Sequence, residues 1–123
     1  MDVKKVLTYI SELLFKFDNT ADPKKKISFL ISAFGDLQNL VEDGLEPSPL
    51  TLKWYGYGDK VLYNIRTIEE VKDLIDKTIL YLHKCNEALD MGVSVDAELE
   101  ATKLLILQIL EKRFNESRDI AKV

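Results

Sequence analysis

Apolar residues recur at spacings of three and four along most of this chain, the period of a helix that turns one face to a core. The first ladder is Val3, Val6, Leu7, Ile10, Leu13, Leu14 and Phe17, and predicts a helix from about Asp2 to Phe17. Asp22-Pro23 then reads as a helix start, because the carboxylate can cap free amides and proline lacks the N–H that would go unpaired there. A second ladder follows in Ile27, Leu30, Ile31, Phe34, Leu37, Leu40 and Val41, and runs out near Asp43-Gly44. Gly35 lies inside it and leaves two readings open. Either one helix tolerates the glycine, or the helix stops and Asp36 caps a new one. Thr67-Ile68-Glu69-Glu70 has the pattern of a capping box, followed by Val71, Leu74, Ile75, Thr78, Leu82, Cys85 and Leu89 and a stop at Gly92. Ser94 is the expected cap of a fourth helix with the stripe Leu99, Thr102, Ile106, Ile109 and Leu110.

The helical period fails between residues 44 and 66, which hold the only tryptophan and three of the five glycines and tyrosines. Leu50–Tyr55 and Lys60–Ile65 alternate with a period of two instead, as half-buried strands do. Gly56-Tyr57-Gly58-Asp59 between them supplies residues that tolerate the positive φ of a tight turn. Facing pairs 54:61, 52:63 and 50:65 would keep Leu50, Leu52, Trp54, Val61, Tyr63 and Ile65 on one face, and a slip by one residue would destroy that continuity. The fold class expected from the pattern is mostly α: a single domain over 1–123, a bundle-like set of four helices with one β-hairpin inserted at about 50–65.

Breaking the second helix at Gly35 leads to a different architecture, with three short helices, a two-stranded wing and two long C-terminal helices. In that order VEDGLEPSPLTLKWYGYGDKVLYNIRT resembles the recognition-helix end and wing of winged-helix regulators, which implies a winged-helix-like core and DNA-binding transcriptional regulation as an alternative function. Electrostatics opposes the DNA-binding part. The would-be recognition helix, Asp36 to Asp43, offers Gln38 and Asn39 to adenine but also Glu42 and Asp43, and it contains no lysine or arginine. Phosphate contacts supply most of the affinity for DNA, and carboxylates at that position would be repelled.

Composition narrows the picture further. At 123 residues and 14.1 kDa, with 46% hydrophobic and 31% charged residues, the chain can bury a core without staples. A lone cysteine, Cys85, cannot form an internal disulfide and suits a reducing compartment. The charged start Met1-Asp2-Val3-Lys4-Lys5 lacks the apolar run of a signal peptide, and the longest uninterrupted apolar run, Leu104–Leu107, is far too short to span a membrane. A cytoplasmic protein with no membrane contact is the expectation. The formal charge of −4 is unevenly spread: residues 67–100 carry nine acids against three lysines, and residues 35–52 four acids and no base. Nucleic-acid binders show the opposite imbalance on one face.

Candidate chemistry is sparse. His83 is the only histidine, which excludes a multi-histidine zinc site and a serine-type triad within the chain. Helical spacing turns Cys85 away from His83, so a Cys/His nucleophilic pair is not built there, and a pairing of His83 with Glu87 one turn on is expected instead. Leu80 stands where a Glu-x-x-His metal motif would need a carboxylate. No metal, cofactor or catalytic site is expected. Three surfaces remain as binding candidates. The hairpin tip presents Lys53, Trp54, Tyr55, Tyr57 and Lys60, and exposed aromatics give large contact area at low entropy cost. The back of the third helix aligns Glu69, Asp73, Asp76, His83 and Glu87 in one acidic row, interrupted by Leu80. Ala97, Ala101 and Leu104 form a second apolar side of the fourth helix, suited to a homodimer interface. Lys24-Lys25-Lys26, with Lys4, Lys5 and Lys16, is either a solubilising cluster or a basic patch. The functional expectation is a non-catalytic protein-protein interaction module: a small acidic adaptor, or a regulator or inhibitor of a larger assembly. Its partner is a protein, basic in character, and one form of such a partner has a nucleic-acid channel that the acidic segment could occupy.

Overall fold

A computed structural model of the chain describes residues 2–42, 50–54, 61–65 and 68–122; for residues 42, 50–54, 61–65, 68 and 111–122 it describes the backbone alone. Four helices dominate: α1 Val3–Asp18, α2 Pro23–Glu42, α3 Ile68–Asp90 and α4 Asp96–Lys122. Their ends follow local chemistry. Asp2 caps α1 by accepting from the Lys5 amide at 3.3 Å. Asp22 caps α2 by accepting from the Lys24 amide at 3.0 Å, with Pro23 in the first helical position. Gly92 closes α3 at φ +80°, while its amide donates to Leu89 O and the Val93 amide donates to Ala88 O at 2.9 Å. These two bonds and the left-handed glycine make a Schellman motif.

α2 lies at the centre. Lys24 at its start pairs with Asp90 at the end of α3, and Gln38 near its own end donates to Asp76 at 3.0 Å, so α2 and α3 run antiparallel. The short connection 19–22 turns α1 back along the other side of α2. α4 leaves the α3 turn and crosses the end of α1, where Lys103 pairs with Asp18. The core these helices enclose includes Ile10, Phe17, Leu30, Phe34, Leu37, Leu74, Ile75, Leu82, Leu99, Leu105 and Ile106. Thr78 and Thr102 are also fully buried, and each hydroxyl donates to the carbonyl four residues back at 2.7 Å, which satisfies it without a partner helix.

Three expectations are corrected. The fold class is all-α, built on the four helices, and a β-hairpin insertion is not supported as part of it. Among the described residues between α2 and α3, two five-residue segments, β1 Leu50–Trp54 and β2 Val61–Ile65, pair their backbones antiparallel, with Leu50 opposite Ile65, Leu52 opposite Tyr63 and Trp54 opposite Val61. Architecture is set by layers that bury a core, and a single two-stranded ladder, whose first strand runs beside α4, is too small to be one. The winged-helix alternative fails at its first requirement, because α2 continues unbroken through Gly35. Leu37, Leu40 and Val41 beyond the glycine stay buried on the face that Leu30 and Phe34 began, so packing holds the helix together. Finally, α4 begins at Asp96 and not beside Ser94. The Leu99 amide donates to Val95 O at 2.9 Å, and Val95 is drawn into the core. Ser94 instead places its hydroxyl 3.4 Å from the Asp96 carboxylate. The capping box at Thr67 lies outside the described residues.

Asp36 follows Gly35 on α2 and is half-buried, and burial raises its carboxyl above the ordinary aspartate range. A raised pKa means that ionisation costs stability: the penalty is absent below the unfolded value, near pH 3.9, and grows as pH rises through the folded one. Asp36→Asn is therefore expected to raise the thermal midpoint at pH 7. Repeating the melts at about pH 3 should abolish the difference, and a gain that persists there would assign it to something other than the charge.

Candidate functional site

Among the described side chains, the acidic row of α3 is the most complete of the expected surfaces. Glu69, Asp73, Asp76, His83 and Glu87 are all exposed. With Leu80 they fall at steps of four, three, four, three and four residues, a stripe along one side of the helix. Leu80 is 57% exposed in the middle of it. The row is partly answered within the chain. Lys77 pairs with Asp73 at 2.9 Å, and Asp76 accepts the Gln38 amide across the α2–α3 seam. Pairs this exposed contribute little to stability, so the carboxylates remain free to exchange partners. No hydrogen bond or ion pair joins His83 to Glu87, so that expected pairing is not made. Among the described residues, no group of three His, Cys, Asp or Glu side chains is arranged to hold a metal ion.

Cys85 lies on the opposite side of α3, in the core. Burial pushes its thiol upward from the ordinary range, and a side-chain hydrogen bond with Tyr81 only partly opposes that shift. A raised pKa keeps sulfur protonated and unreactive, which fits a packing role. Of the two base-reading candidates of the alternative function, Gln38 is half-buried at the α2–α3 seam and donates to Asp76, while Asn39 is exposed.

The other expected surfaces fare differently. Side chains of Lys53 and Trp54, and all of Tyr55, Tyr57 and Lys60, lie outside the described residues. The proposed apolar side of α4 is not one surface. Ala97 is exposed and Leu104 is 50% exposed, but Ala101 is buried in the chain's own core with Leu105. The outward stripe is instead Ala97, Leu104 and Leu107. Sequence reasoning missed Leu105 because all four residues from Leu104 to Leu107 are apolar, and periodicity alone cannot rank them.

The lysines do not assemble into one patch either. Lys4 and Lys5 sit at the start of α1, roughly 18 Å along the helix from Lys16 and from the start of α2. Lys24 is paired with Asp90. Lys26 and Lys103 direct their ammonium groups over the ring of Phe17, at 4.9 and 5.6 Å from its centroid. Two of the lysines thus serve the packing of the α1 end, a use that no spacing rule announces.

No helix among the described residues is long and apolar enough to cross a membrane. Comparison with protein-family models, with curated proteins and with solved structures finds no match to this chain.

Proposed function

We propose that this chain is a non-catalytic protein-interaction module, an adaptor or a small regulator or inhibitor of a larger assembly, which receives a basic protein on the outer face of α3. The observation that supports this reading is the position of Leu80, an exposed apolar side chain in the middle of an acidic row. Interfaces commonly combine a desolvated apolar anchor with a polar rim that excludes water. A rim of carboxylates favours lysine- or arginine-rich partners, speeds their encounter and repels nucleic acid. A partner with a basic nucleic-acid channel is one form of this reading, and a DNA-binding regulator is not.

The test is a pull-down from native extract, with and without nuclease, read by mass spectrometry. The parent chain should recover the same basic protein under both conditions. Leu80→Ala should weaken recovery about thirtyfold, equivalent to roughly 2 kcal/mol for a lost anchor. The double reversal Asp73→Lys and Glu87→Lys should abolish it. Both variants should melt within about 0.5 kcal/mol of the parent, because these positions are exposed. Full recovery by the double variant would end the proposal, and recovery that disappears with nuclease would show that nucleic acid was the tether.

Self-association belongs to the same proposal, now through Ala97, Leu104 and Leu107 in place of the face that included Ala101. Light scattering at tens of micromolar should give twice the chain mass of 14.1 kDa. The pair Leu104→Ser and Leu107→Ser should return it to the single mass. A parent chain that already scatters as one copy removes the homodimer.

A further inference from the structure

We draw no further inference here: the strongest candidate, the open depression of about 300 Å³ on the outer side of α1 lined by Thr8, Ser11, Glu12, Phe15 and Lys16, is an unpartnered surface, and nothing in the structure shows what covers it.

Discussion

Phe17→Ala is expected to lower the stability of this protein by about 3–5 kcal/mol, the range for deleting a buried aromatic ring. Phe17 is 0% exposed where the end of α1 meets α2 and α4. Its removal takes away the transfer energy of the ring, leaves a cavity, and strips Lys26 and Lys103 of the ring they both approach. Each cation–π contact adds about 0.5–1 kcal/mol at a site open to water. Lys103 is more confined than that, with 17% of its side chain exposed and Asp18 beside it. Domains of this size are stable by only about 5–15 kcal/mol, so the variant should lie close to its folding threshold. Phe15→Ala supplies the contrast. That ring lies two residues earlier on the same helix but is 69% exposed, and its loss should change stability by no more than about 0.5 kcal/mol. Urea unfolding of the two variants measures both. Equal effects would show that α1 does not present the face described here.

Gly35→Pro is expected to cost about 3 kcal/mol or more, while Gly35→Ala should add roughly 0.5–1 kcal/mol. The two substitutions ask one question from opposite sides. Proline removes the amide that continues the helix and clashes with the preceding turn. Alanine reduces the freedom of the unfolded chain, and a Cβ built at Gly35 meets nothing within 4 Å, so the folded state should accept it. Gly35 is also not among the glycines at positive φ, where an added side chain would be strained. If the helix instead ended here with Asp36 as a cap, alanine would bring no gain and proline would be tolerated. Denaturant midpoints for both variants, with circular dichroism at 222 nm, decide between the two.

Much of the helical framework was legible because its causes are local. Asp22-Pro23 and Gly92 mark ends through capping and backbone geometry that involve only a few neighbouring residues. The ladders of α1, α2 and α3 picked out core positions that are indeed buried, among them Phe17, Phe34, Ile75 and Leu82. The period-two segments likewise contain the backbone pairs Leu52–Tyr63 and Trp54–Val61, although they do not alter the all-α class. Legibility declined where several apolar residues adjoin. Leu104, Leu105, Ile106 and Leu107 are chemically alike, but two are buried and two exposed. The acidic row of α3 was legible as a row with Leu80 interrupting it, because steps of three and four residues fix a helical face, and Leu80 is indeed exposed there.

By itself, then, the sequence determined the order of the helices, several of their ends, the faces that carry apolar side chains and the excess of acid over residues 67–100. Each is a short-range property, decided by residues within a turn or two of one another. Tertiary structure alone decided that α2 passes through Gly35, because burial of Leu37, Leu40 and Val41 outweighs the propensity cost of about 1 kcal/mol for one glycine. It also drew Val95 inward and so started α4 at Asp96, separated Lys4 and Lys5 from Lys24, and placed Lys26 and Lys103 on Phe17. These outcomes depend on which helix crosses which and at what point. Burial rewards only the sum of such contacts, and that sum does not exist until the helices meet.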